Sequence, residues 1–122
     1  MEFEEKRRYK RAYIRLPAEY RGKSVWQHIE ALNLSAVGMF VATQKVESPQ
    51  TKVDIMFEFG KDDKRFIHAE GVVVWSRAEP KDDGKGNILP PGMGIEFIKF
   101  FPSSSKDFIN DVIKKMESEQ NG

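Results

Sequence analysis

The sequence predicts an all-β fold with a C-terminal helix: a six-stranded antiparallel sheet closed into a small barrel, then one amphipathic helix. Three observations carry that expectation. Apolar and polar residues alternate through most of the chain, the period of half-buried strands. The connections between these runs are mostly short and hold Gly, Pro, Asp and Ser. After Pro102 the apolar period becomes helical. Closure follows because a sheet of short strands otherwise leaves two unpaired edges exposed.

From residue 12 the alternation is strict, with Ala12, Ile14, Leu16, Ala18 and Tyr20 on one face and Tyr13, Arg15, Pro17, Glu19 and Arg21 on the other. RGKS at 21–24 supplies a glycine for a tight turn, so VWQHIEALNL returns as the second strand of a hairpin. After Gly38, MFVAT is β-prone, and Ser48-Pro49 separates it from KVDIMFEF at 52–59. There Val53, Ile55, Phe57 and Phe59 share one side. GKDDK at 60–64 is a hydrophilic turn, and FIHAEGVVVWSRAE suits a long strand bent at Gly71. PKDDGKGNILPPG at 80–92 reads as an exposed loop without regular structure, leading into a last strand, MGIEFIKF.

Beyond Pro102, Phe108, Ile109, Val112, Ile113 and Met116 form one helical stripe, with Ser104 and Asp107 as a capping-box pair at its start. The expected division is an arm at 1–11, flexible and basic, a barrel at 12–102 and a helix at 103–118 packed outside the barrel or across one end.

Composition excludes several functions. Twenty basic against nineteen acidic residues leave a formal charge of +1 over 122 residues, so the chain is no polycation for coating nucleic acid or anionic lipid. Without cysteine it forms neither disulfides nor thiolate metal sites, which suits a reducing compartment. Charges stand in MEFEEKRR where a signal peptide needs an apolar run, and no stretch approaches the ~20 apolar residues of a membrane span. A cytoplasmic protein is expected, with no membrane partner.

Catalytic chemistry is also missing. His28 and His68 both fall inside strand patterns, with no nucleophile motif and no metal-ligand spacing around them. The reading is not an enzyme, with no catalytic residues, no metal and no cofactor. Trp26, Trp75 and the phenylalanines read as core rather than as a stacking platform, because large aromatics in a small barrel fill it.

Two short stretches remain. RRYKR at 7–11 crowds three arginines and a lysine round one tyrosine; alone, it reads as a solvated charge run balanced by Glu2, Glu4 and Glu5. NLSAVG at 33–38 offers the Asn33 amide, the Ser35 hydroxyl and the permissive backbone of Gly38. These suit a polar, flat ligand, and alone they equally suit local turn hydrogen bonds before a strand.

Taken together, an RxxxR formed by Arg7 and Arg11 and an NxSxxG formed by Asn33, Ser35 and Gly38 resemble the PilZ domain family, receptors for cyclic di-GMP. YKR before an alternating strand, VVVWSR, GMGIEF and a closing helix resemble that family in order, over roughly residues 6–117. The resemblance implies a PilZ-like β-barrel and a ligand, cyclic di-GMP, clasped between arm and barrel. Arg7 and Arg11 would close over it from the extended N-terminal segment; Asn33 and Ser35 would hydrogen-bond it from the barrel wall, and Gly38 would keep the turn slim for a purine.

Arginine suits this ligand because its planar fork pairs with phosphate oxygens or with guanine O6 and N7. Lys10 stands where a proline is common in the family, which loosens the arm. The charge count adds the expectation that Arg8 or Lys6 holds a second, stacked cyclic di-GMP. The output would pass from the ordered arm to a downstream protein partner. Two other readings stay open: a PilZ-like module that contacts only proteins, through the helix end or the 80–92 loop, and a small barrel binding single-stranded nucleic acid through RRYKR and aromatics. The near-neutral total charge counts against the last.

Overall fold

The computed structural model describes residues 9–121. In chain order they form β1 (Ala12–Arg21), β2 (Trp26–Leu34), β3 (Gly38–Ala42), β4 (Lys52–Phe59), β5 (Arg65–Arg77), β6 (Lys81–Asp82), β7 (Ile88–Leu89), β8 (Gly92–Phe101) and α1 (Ser105–Asn121).

Six of these strands close into an antiparallel barrel in the order β1-β2-β3-β8-β5-β4. Consecutive hairpins account for β1–β2, β2–β3 and β4–β5, whereas β3–β8 and β1–β4 join strands distant in sequence. The closing seam is short, only Glu19, Tyr20 and Arg21 facing Met56, Ile55 and Asp54.

Alternation sets which residues fill the interior. Ala18 and Tyr20 of β1, the Val53, Ile55, Phe57 and Phe59 series of β4, and Ile67, Ala69 and Val73 of β5 are buried in one cluster with Met93 and Ile95 of β8. Ile109, Val112 and Ile113 of α1 join that cluster, with Phe108 and Met116 packed at its margin. Each fully buried aliphatic of this stripe contributes about 2 kcal/mol. The helix lies by the barrel end marked by the β4–β5 turn, where Arg65 sits 4.3 Å from the Phe108 ring and Lys61 pairs with Glu119. Its first turn is closed by backbone, Phe108 N–H donating to Ser104 C=O at 3.1 Å.

β5 bends where its register to β8 slips at Glu70/Gly71, and slips again between Val73 and Trp75. An extra residue at a bulge raises local twist, which helps a sheet curl.

Two expectations are corrected. The 80–92 segment is not a structureless loop: β6 and β7 pair, and the turn between them is organised by Asp83, whose carboxylate accepts from Lys85 N–H at 2.7 Å and Asn87 Nδ2 at 3.0 Å. Its Asp and Gly residues are the material of an ordered tight turn as much as of a loop. Nor do the tryptophans belong to the core, since Trp26 is 63% and Trp75 41% exposed. Phe66 and Phe101 also face outward, while Phe57, Phe59 and Phe100 are buried. Trp26 faces out opposite Arg21, whose guanidinium covers its ring at 5.1 Å while its indole N–H donates to Glu19 at 2.9 Å.

Candidate ligand-binding site

The turn between β2 and β3 is built by the residues of NLSAVG. Ser35 N–H donates to Gly38 C=O at 2.9 Å, and Val37 N–H donates to the Ser35 hydroxyl at 3.2 Å. Ser35 is only 5% exposed. Where β2 slips register against β3, Asn33 Oδ1 accepts from Phe40 N–H at 3.0 Å, leaving the amide's Nδ2 end as its remaining polar group. The local turn bonds that the sequence allowed are therefore present.

The same residues also face open space. Arg11, Asn33, Ser35 and Gly38 line one cavity of about 330 Å³ on the outer wall, together with Phe40, Trp75, Gly94 and Glu96. Arg7 and Arg8 lie outside the described residues, as does Lys6.

Gly38 has a structural duty whatever occupies the cavity. A Cβ there would stand 2.4 Å from the Ile95 carbonyl oxygen, so β3 approaches β8 this closely only with glycine.

The floor of the cavity comes from a lateral row of cross-strand neighbours in which Asn33 faces Phe40, Phe40 faces Gly94 and Gly94 faces Trp75; Tyr13, facing Asn33, continues the row beyond the cavity. Gly94 leaves the strand between the two aromatics bare. Phe40 and Trp75 close over it, with ring centroids 5.4 Å apart and planes 15° from parallel. A Cβ at Gly94 would lie 2.2 Å from the Trp75 indole nitrogen. Arg77 covers this pair, 5.1 Å from the Trp75 ring and 5.7 Å from that of Phe40. Its Nε donates to Pro90 C=O at 2.9 Å, which ties the β6–β7 hairpin to the platform.

The chain reaches the site from the helix. Lys106 lies over the Tyr9 ring at 4.8 Å, and Lys10, expected to loosen the arm, pairs with Glu117 at 3.1 Å. Arg11 follows directly and lines the cavity.

The sequence reading missed Phe40, Trp75, Arg77 and Glu96. The signal available was the pairing of VVVWSR with GMGIEF, a tryptophan strand beside a glycine-rich one, where the missing side chains let a ring lie flat. Among the described residues no cluster of three or more His, Asp or Glu side chains is placed to hold a metal ion, and no helix is long and apolar enough to cross a membrane.

The closed antiparallel barrel thus presents an amide, a guanidinium and a stacked aromatic pair round one outer cavity. The PilZ domain profile matches residues 5–113, and the chain belongs to that family of cyclic di-GMP receptors, which serve as binding and adaptor modules rather than enzymes. No curated protein matches the chain. Among solved structures it is similar to the Bacillus subtilis inhibitor of motility MotI/DgrA, with a TM-score of 0.71 and 16% identity over 92% of this chain. That match covers 52% of the MotI/DgrA chain, so the present chain spans about half its length.

Proposed function

We propose that this domain is a cyclic di-GMP receptor that holds its ligand in the outer cavity over β2, β3 and β8. One observation carries the reading: Arg11, Asn33, Ser35 and Gly38, separated by up to 27 positions in the chain, converge on a single cavity that is also lined by the stacked Phe40–Trp75 pair. The cavity's chemistry divides as the ligand's does. Arg11 supplies paired donors for a phosphate or for guanine O6 and N7, and Arg7 would add a second guanidinium from the arm. Glu96 on the same wall repels phosphate and suits the N–H donors of a guanine Watson–Crick edge. The Phe40–Trp75 pair offers aromatic surface for a purine, which would meet or displace the Arg77 guanidinium that lies over the rings.

The domain then acts without chemistry. Ligand ties the arm to the barrel, and the composite surface so formed is read by a protein partner. A ligand of this kind, a second messenger of the bacterial cytoplasm, supports a cytoplasmic location for the domain.

Calorimetric titration with cyclic di-GMP tests the reading. A bidentate arginine contact is worth about 1 to 3 kcal/mol, so Arg11→Ala should weaken binding by roughly ten- to a hundredfold, and wild-type affinity should fall as salt rises. Wild-type affinity in Arg11→Ala, or affinity independent of ionic strength, would exclude the charge-based clasp.

A further inference from the structure

Tyr13 is 78% exposed on β1, at the end of the lateral row that runs through Asn33 and Phe40 to Trp75. Tyrosine in a strand this exposed leaves most of a large ring in water without a packing return. It sits two residues beyond Arg11, on the same side of the extended chain. Beside it is an open groove of about 400 Å³ lined by Tyr13, Ile14, Arg15 and Leu32.

The groove exists because the register of β1 and β2 slips between Tyr13 and Leu16, while that of β2 and β3 slips between Ala31 and Asn33. Its lining suits a flat heteroaromatic ring. Leu32 gives an apolar wall, Tyr13 a π face and Arg15 a planar cation, while the Ile14 side chain packs against the core beneath. Glu30 accepts from Arg15 Nη1 at 2.8 Å, which steadies the guanidinium while leaving it further N–H donors for purine O6 and N7.

We propose that this groove is a second purine subsite, with Tyr13 as its stacking residue, and that it takes the second guanine of the ligand held over Phe40 and Trp75. The inference rests on the cyclic di-GMP reading above and deepens it. Neighbouring strands are about 4.8 Å apart, so Tyr13 and Phe40, two strands apart, stand about 10 Å from each other along the row. Two bases on one cyclic phosphodiester ring can bridge that span with the phosphates between them, beside Arg11 and Asn33. A mononucleotide fills one subsite only. The groove thereby selects for a two-base ligand.

The test is calorimetry of the full chain with cyclic di-GMP, comparing wild type, Tyr13→Ala and Tyr13→Phe. Base–aromatic stacking is worth about 1 to 3 kcal/mol per base, so Tyr13→Ala should bind roughly ten- to a hundredfold more weakly, with Tyr13→Phe within about twofold of wild type. The exposed position makes an unchanged melting temperature the expected control. If wild type binds and Tyr13→Ala binds equally well, the second subsite is overturned and the first stands. Saturation at two equivalents, with the second lost in Tyr13→Ala, also overturns it, since the groove then holds a separate molecule. If wild type gives no binding, the receptor reading and the subsite fall together.

Discussion

Two polar clusters of this barrel each gather at a hairpin turn and differ in what surrounds them. At the β1–β2 turn, the fully buried Tyr20 donates its hydroxyl to Glu47, and Ser24 donates to the same carboxylate through its N–H at 2.9 Å and its hydroxyl at 3.0 Å. Glu47 N–H in turn donates to the Met93 sulfur at 3.2 Å. At the β2–β3 turn, Asn33 and Ser35 each accept one backbone N–H, and both line an open cavity with Arg11. The first cluster spends its hydrogen-bonding capacity on itself and locks a barrel end. The second uses part of its capacity to hold the turn and presents the rest to a space that a ligand can enter. A polar residue near the core is available for recognition only when open volume faces it.

The comparison is broken most severely at Gly38, where the lining of the proposed site doubles as a structural contact. Gly38→Val drives a side chain against the Ile95 carbonyl and should cost about 3 kcal/mol, read as a lowered urea midpoint. A variant within about 0.5 kcal/mol of wild type would show that β3 and β8 can part there without loss.

Glu47→Gln probes the closed cluster and should cost about 2 kcal/mol, leaving Ser24 and Tyr20 donors poorly matched. Cyclic di-GMP affinity should not change. Burial alone would raise the Glu47 carboxyl, but hydrogen bonds from Tyr20 and Ser24 outweigh it and hold it below the usual 4.5. Its stabilising contribution is therefore present above pH 4.5 and lost as pH falls through the lower folded value. Tyr20 is pushed up from 10.0 by burial, then by its bond to Glu47 and that residue's charge, so its contribution holds below pH 10.0 and is lost at higher pH. Acid and alkaline unfolding curves of Glu47→Gln, both flatter than those of wild type, would match; unchanged curves would put the sensitivity elsewhere.

Arg11→Ala is the converse experiment, with affinity falling as described and the urea midpoint unmoved, because the exposed guanidinium supports the cavity rather than the core. A shifted midpoint would make Arg11 part of the scaffold. The smallest effect is expected at Lys10. Its pair with Glu117 is half exposed on both sides, so Lys10→Ala should change stability by about 0.5 kcal/mol or less. A larger loss by denaturant titration would mean that the approach to the site is anchored to α1 more firmly than one surface pair provides.

Much of this protein was determined by local pattern. Alternation in β1 and β4 assigns Tyr20 and the Val53, Ile55, Phe57, Phe59 series to the interior, because each successive side chain must point to the opposite face. The helical stripe of α1 followed from its period in the same way, whereas Arg11, Asn33, Ser35 and Gly38, four residues that share one cavity, were singled out by the resemblance of RxxxR and NxSxxG to the PilZ family. Tertiary structure decided the rest. No period states that β3 lies beside β8, yet that neighbour requires glycine at position 38 and puts Gly94 between Phe40 and Trp75. Parity also fails across a bulge: β5 slips register between Val73 and Trp75, so Val73 is buried while Val74 and Trp75 both face out. The same long-range pairing joined Tyr20 to Glu47 across 27 positions of sequence. Which face a residue takes is a property of its own strand, whereas what it meets there is set by strands whose positions only the closed barrel defines.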